Sequence, residues 1–285
     1  MLDRSLLISL VAVFSFFAQT SAAQNDISFE EVVTLDTRPD VKQSFLLLKP
    51  YSEVKGIVVM FPGHEGVVHF VKGKDGYEVT HEGGGLTVRK EARETYRKNG
   101  LVVALLAPPS DMQGGMDTNF RSSNEHLEDI RHVLNYLKGK YGQKPYLHGH
   151  CRSSFSPASI ITKLKNEGIA GMILTSPRST GKHGSVMDYD RGVVSVPVLL
   201  VQHKNDPCNG TPYSKLNKVK EFYEQSSGKV DVILVTGGNM KVTGPKSCQA
   251  GPHSFSGLEQ ETSSAITNWI LGKEYARNID GPIQQ

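Results

Sequence analysis

The 285-residue chain carries 32 Lys and Arg against 29 Asp and Glu, for a formal net charge of +3. The charges are interspersed and form no basic block, so nucleic acid and anionic membrane surfaces are not expected as partners. A chain of this length can bury a substantial core, as one large α/β domain or two small ones.

The first residues stand apart. Asp3 and Arg4 precede an apolar run from Leu6 to Phe17, and small side chains follow from Ala18 to Ala23. The run is too short to span a bilayer, and Ser21-Ala22-Ala23 fits a small-x-small cleavage site before Gln24. Residues 1–23 are therefore expected to be a secretory signal peptide. An uncleaved anchor is the alternative, because Asp3 offsets Arg4. Cleavage would leave residues 24–285 as one secreted or periplasmic domain with no membrane insertion.

After that segment, Ile27 to Thr34 and Gln43 to Leu48 are β-prone runs joined by a polar turn with Pro39 and Asp40, an antiparallel pair at a sheet edge. Gly56 to Phe61 is continuously apolar and β-branched, as in a strand buried on both faces. It stops at Pro62-Gly63-His64, and His64 to Leu86 reads as a long loop with room for a hairpin. Thr87 to Asn99 is helical, with Gly100 at its C-terminal cap. Leu101 to Ala107 is a second buried strand. A helix opens at Ser122 and Glu125, a capping-box pattern, and runs to Tyr141 with Leu127, Ile130, Leu134, Leu137 and Tyr141 on one face.

Pro145 to His148 is the third buried strand and Ser154 to Lys165 a helix, so Gly149 to Ser153 is a sharp turn with Cys151 at its tip. Gly171 to Ser176 and Val196 to His203 are further strands, and Pro177 to Ser195 between them holds no convincing helix. Ser214 to Gln225 is a helix, Val230 to Thr236 the last expected strand, and Leu258 to Leu271 the closing helix. Strands alternate with helices from Gly56 onward, which predicts an α/β fold with a mostly parallel sheet and helices on both faces.

Ligand sites in open parallel sheets form at the carboxyl ends of the strands. Cys151, Asp206 and His253 fall at such ends, in the order nucleophile, acid, histidine. The turn Gly149-His150-Cys151-Arg152-Ser153 has the form of a nucleophile elbow, with Cys in place of Ser and Ser153 in place of the final Gly. A side chain at position 153 is expected to crowd the contact between strand and helix. The three cysteines are Cys151, Cys208 and Cys248. If the segments holding Asp206 and His253 converge, Cys208 and Cys248 can pair and leave Cys151 free; three reduced, buried thiols are the alternative.

On these residues the chain resembles the α/β-hydrolases from Gly56 to Leu271. It is similar to a group of secreted bacterial hydrolases whose elbow is Gly-Thr-Ser-Arg-Gly, whose acid loop carries Asp-x-Cys and whose second Cys shortly precedes the last His. Arg152, Asp206, Cys208, Cys248 and His253 keep that arrangement, and Cys151 and Ser153 depart from it. The Cys nucleophile also resembles dienelactone hydrolase.

The roles follow from chemistry. Cys151 would attack an acyl carbon as a thiolate, His253 would take the thiol proton and later activate water, and Asp206 would hold the imidazole tautomer. The backbone N–H of Arg152 and one from Gly63 or His64 would form the oxyanion hole. His150 is expected on the pocket wall, and the Arg152 side chain against a substrate carboxylate. A zinc set is the competing reading of His148, His150 and Cys151, but further ligands at a recognisable spacing are lacking, and the chemistry needs no metal or other cofactor. Gly83 to Gly85 lacks the Lys and Ser or Thr of a phosphate loop and reads as flexible backbone. The expected partner is a small-molecule acyl substrate: a carboxylic ester, lactone or thioester. The alternative is a ligand-binding protein on the same scaffold, without turnover.

Overall fold

The computed structural model describes residues 29–81, 83, 85–241 and 247–284; the expected signal peptide lies outside them. Strands β1 (Glu30–Arg38) and β2 (Val41–Leu48) form the antiparallel pair, followed by β3 (Gly56–Phe61) and a separate hairpin of β4 (Val68–Gly73) and β5 (Gly76–His81). Then come α1 (Lys90–Lys98), β6 (Leu101–Leu106), α2 (Thr118–Arg121), α3 (Asn124–Tyr141), β7 (Tyr146–His150) and α4 (Phe155–Leu164). The chain continues through β8 (Gly171–Thr175), β9 (Val198–His203), α5 (Leu216–Glu224), β10 (Val230–Asn239), α6 (Glu259–Ile270) and β11 (Asn278–Gln284). The main sheet has nine strands in the order β1-β2-β6-β3-β7-β8-β9-β10-β11. From β6 to β11 every neighbouring pair is parallel.

The continuous apolar runs are strands covered on both faces. In β3, Ile57, Val59 and Phe61 enter one core with α3, α4 and α5, while Val58 and Met60 enter the other with α1 and α6. The first layer is filled by Ile130, Val133, Leu134 and Leu137 of α3 and by Phe155, Ala158, Ile160 and Ile161 of α4. The second is filled by Ala92 and Tyr96 of α1 and by Ala265, Ile266, Trp269 and Ile270 of α6. This alternation is the period-two geometry of a strand between two helix layers.

Two differences from expectation have a clear physical cause. The cap of α3 is Ser123, whose side chain accepts from the His126 N–H, whereas Ser122 ends the preceding short helix α2. A hydroxyl caps only where its oxygen reaches the N2 or N3 amide, and the turn after α2 brings Ser123 to that place. The second difference is β11, an edge strand beyond β10 in a segment whose Gly281 and Pro282 read as breakers. The register shifts between Thr236↔Asp280 and Gly238↔Ile283, so the proline falls at an irregularity on the sheet edge, where a missing N–H is tolerated. Across that irregularity Gly237 has φ +83°, and a Cβ there would sit 1.9 Å from the Gly281 carbonyl oxygen.

Gly237→Ala is therefore expected to destabilise the protein by about 1–3 kcal/mol through strain and overpacking. Urea unfolding gives the size of the loss, and hydrogen exchange should show amides of β11 losing protection first.

Candidate active site

The site is built at the carboxyl ends of β7, β9 and β10. Strand β7 runs through His150, and the chain then turns through a single 3-10 turn, Cys151–Ser154, into α4. Cys151 takes φ +52°, a left-handed conformation that costs an L-residue about 1–3 kcal/mol. Side chains around the turn hold it there. The Ser153 hydroxyl accepts from the His150 N–H at 2.8 Å and donates to the Phe61 carbonyl at 2.7 Å; Ser154 donates to the Cys151 carbonyl at 2.5 Å.

The expected crowding at Ser153 is thus corrected. The close approach of strand and helix falls on Gly149, where a Cβ would lie 2.6 Å from the Ser153 carbonyl oxygen and 2.8 Å from Ser154 Cα. Ser153 instead links the elbow to the neighbouring strand β3.

Asp206, in the turn after β9, and His253, in the loop after β10, meet beside the thiol. His253 Nδ1 lies 3.0 Å from both Asp206 carboxylate oxygens, and both side chains are fully buried. Three further donors complete the carboxylate's shell: the Cys208 N–H at 2.9 Å, the Thr211 hydroxyl at 2.8 Å and Gln202 Nε2 at 2.9 Å. The Ser176 hydroxyl donates to the His253 carbonyl at 3.0 Å and ties the loop to β8. With Nδ1 turned to Asp206, Nε2 is buried and has no partner other than the Cys151 thiol. The sulfurs of Cys151 and Cys208 and a ring nitrogen of His253 all lie within 4.8 Å of one another.

Cys208 is disulfide-bonded to Cys248, and Cys151 is the free, buried cysteine. The conditional pairing is therefore the one realised. It also removes Cys208 from any metal set, because a disulfide sulfur has no thiolate to offer. His148 is unavailable as well. Its Nδ1 lies 3.3 Å from the Tyr96 hydroxyl and its Nε2 3.1 Å from Thr175 Oγ1.

The electrostatics of the thiol and the imidazole are reciprocal. Burial pushes the Cys151 thiol up, but the His253 ring, through its charge and then a hydrogen bond to the sulfur, and after it Arg178, bring it below its ordinary value. Burial opposes charge on His253 too, yet Cys151 and Asp206 raise it to about 10. The two shifts favour a thiolate beside an imidazolium.

The other expected residues are placed as follows. Gly63 and His64 lie at the end of β3 beside the elbow, His64 with φ +51° and its Nε2 2.9 Å from Gln249 Nε2. The loop is clamped by Arg121, fully buried, which donates to the Pro62 carbonyl at 3.1 Å and the His64 carbonyl at 3.3 Å. The Arg152 guanidinium is engaged by Glu65 in an ion pair. His150, expected on the pocket wall, is 1% exposed, and its ring stands 4.8 Å from that of His253, edge to face. Gly85 leaves room for it: a Cβ there would lie 2.0 Å from His150 Cδ2. His150 thus backs the imidazole, and burial lowers its pKa well below the ordinary value, which keeps it neutral. Sequence reading missed Arg121, Thr211, Gln202 and Arg178, none of which belongs to a local pattern.

No family model and no curated protein sequence matches the chain. Solved structures do. An esterase from Pyrococcus furiosus superposes with TM-score 0.57 at 13% identity, covering 85% of this chain and 90% of that one. A dienelactone hydrolase from Anabaena variabilis gives 0.56 at 12% identity, covering 86% and 97%. An alpha-beta serine hydrolase homologue from Coxiella burnetii gives 0.53 at 18% identity, covering 85% and 96%.

Ser153→Ala would leave the Phe61 carbonyl and the His150 N–H unsatisfied in a buried site, at a cost of about 1–3 kcal/mol in urea unfolding. The same variant should show faster exchange of the His150 amide. A variant as stable as the parent would show that the hydroxyl is not what holds the elbow. With its mostly parallel nine-stranded sheet, its antiparallel β1–β2 pair and these structural neighbours, the chain adopts the α/β-hydrolase fold.

Proposed function

We propose that the protein is an exported hydrolase of carboxylic esters, lactones or thioesters that works through a Cys151, His253, Asp206 triad and a covalent acyl-thiol intermediate. The observation that carries this reading is the imidazole of His253, held by Asp206 through Nδ1, with its other nitrogen left to a free thiol. Structural neighbours that act on esters and lactones support the substrate class. The disulfide supports export, since such bonds persist in oxidising compartments.

The reaction starts from the thiolate. The Cys151 sulfur attacks the acyl carbon, and the carbonyl oxygen gains negative charge opposite the backbone N–H of Arg152 and one from the Gly63 to His64 loop. A preorganised donor of this kind contributes about 3–4 kcal/mol to the transition state. The His253 imidazolium protonates the leaving oxygen or sulfur as the bond to it breaks. The now neutral ring then takes a proton from water, which attacks the thioester and frees the acid and the thiol. Asp206 accepts from the ring Nδ1–H and stabilises the imidazolium. Activated acyl groups suit a thiolate better than amides, because a thiolate is a better leaving group than an amide nitrogen in the tetrahedral intermediate.

Iodoacetamide is expected to modify Cys151 at pH 6 to 7, about tenfold or more faster than a free thiol, and to abolish hydrolysis of a nitrophenyl ester. The profile of kcat/KM should be bell-shaped. Activity rises as the thiol loses its proton, below the free-thiol value of about 8.5, and falls as His253 loses its own, near 10. Slow labelling with an alkaline midpoint and no ester hydrolysis would leave a binding protein on the same scaffold.

The cation free to meet a substrate carboxylate is Arg178, in the segment after β8, rather than Arg152. Arg152 is paired with Glu65; Arg178 has no ion pair among the described residues, its Nε is buried without a partner, and its charge acts on the Cys151 sulfur. Arg178→Met is expected to lower kcat/KM for a carboxylate-bearing ester about tenfold or more relative to its neutral analogue, the worth of one charge-assisted hydrogen bond. Equal losses on both esters would assign Arg178 to the thiolate alone.

A further inference from the structure

The active-site thiol and the disulfide are neighbours. The Cys151 sulfur lies within 4.8 Å of the Cys208 sulfur, which is bonded to Cys248. We propose that these three cysteines form an intramolecular thiol–disulfide relay, in which Cys151 exchanges with the Cys208–Cys248 bond and caps itself reversibly.

The step needs no outside oxidant. The Cys151 thiolate attacks Cys208 Sγ; the Cys151–Cys208 bond forms as the Cys208–Cys248 bond breaks, and Cys248 departs as a thiolate that takes a proton from water. One thiol and one disulfide enter, and one thiol and one disulfide leave. Bond formation needs a sulfur–sulfur separation of about 2.05 Å, so the exchange requires the short side chains of Cys151 and Cys208 to close the remaining gap.

The sulfurs are placed asymmetrically. Cys151 and Cys208 are 5% and 1% exposed, so their contact is internal, whereas Cys248 is half-buried in the segment 247–250 and has Ser247 Oγ 3.9 Å away. The sulfur facing Cys151 is thus the electrophile, and the leaving sulfur is the one solvent can reach. Exchange equilibria favour keeping the more acidic thiol free, and the site lowers the Cys151 thiol. The Cys208–Cys248 pairing is accordingly the resting state, and the capped form becomes dominant when Cys248 is removed or captured.

The capped form has no nucleophile and would be silent as a hydrolase. It would also protect the thiolate: a thiol in a disulfide cannot climb to the irreversible sulfinic and sulfonic acids. The exchange requires only the thiolate, not the ester chemistry, so its test reads sulfur connectivity directly.

In Cys248→Ser, incubation in oxidised and reduced glutathione should take the protein from two free thiols to none. It should yield a Cys151–Cys208 cross-link in a peptic digest made at acid pH, and dithiothreitol should restore both thiols. Persistence of two free thiols, or only glutathione adducts on each, would overturn the relay. The native protein gives a second reading that does not depend on that variant folding. Held at pH 8 for hours, the timescale of unassisted exchange, and then quenched in acid, it should contain a minor Cys151–Cys208 species with Cys248 free. That species should be missing from Cys151→Ser. Its absence from the native protein as well would overturn the proposal.

Discussion

The arrangement depends on one buried ionic contact, between the Asp206 carboxylate and the His253 ring. Removing two charged groups from water costs several kcal/mol each unless the geometry is good and the remaining lone pairs are filled. Here they are filled. A backbone amide, a hydroxyl and a side-chain amide all donate to Asp206 in addition to the imidazole. The charges of the carboxylate and of the sulfur together keep a proton on a ring that burial alone would strip. The thiolate is stabilised by the same ring. Each partner is charged because the others are, which makes the site a unit rather than a sum of three side chains.

Covalent and steric constraints bring the unit together. The disulfide joins the loop after β9 to the loop after β10, and one of its residues, Cys208, also supplies an amide to Asp206. The acid and the histidine are thus fixed to each other twice, through the ion pair and through the cross-link beside it. The third member is fixed from below. Cys151 occupies a strained φ only because Ser153 binds β3 and β7 on one side and Gly149 lets α4 come down on the other. A Ser in the last elbow position is therefore compatible with a formed elbow.

How much of this was legible depended on the range of the interaction. The buried strands β3 and β6 are uninterrupted apolar runs and β8 and β9 are apolar until their last residues, and the order of Cys151, Asp206 and His253 at strand ends follows from counting them. The pairing of Cys208 with Cys248 was conditional on that convergence, and the structure supplies the convergence. Strand β11 was hidden because Gly281 and Pro282 carry breaker signals that an edge position tolerates. Ser153 was misread because the motif assigns the close approach to its final glycine, whereas here the backbone contact falls on the first. Arg121, Thr211 and Gln202 could not have been found at all: each matters through a partner that is distant in sequence or shared with other donors, and no local periodicity marks such a relation. Arg152 was expected against a substrate carboxylate, and Glu65, 87 residues away, pairs with it.

A sulfur nucleophile, as proposed for Cys151, would change what the fold must supply. A serine oxygen needs its base to remove a proton at the moment of attack, so the imidazole must start neutral. With Cys151 and His253 shifted toward each other, that transfer precedes substrate, and the imidazolium is ready to protonate the leaving group. The gain has a chemical cost, since a standing thiolate is open to oxidation in the compartment where disulfides form. Burial to 5% exposure limits access to the sulfur. The nearby Cys208–Cys248 bond adds a second limit of a different kind, because it offers the thiolate a reversible partner within the protein. On the proposed reading, an exported enzyme with a cysteine nucleophile has a physical reason to keep its structural disulfide against the active site, where the same bond would both hold the acid loop and shelter the sulfur.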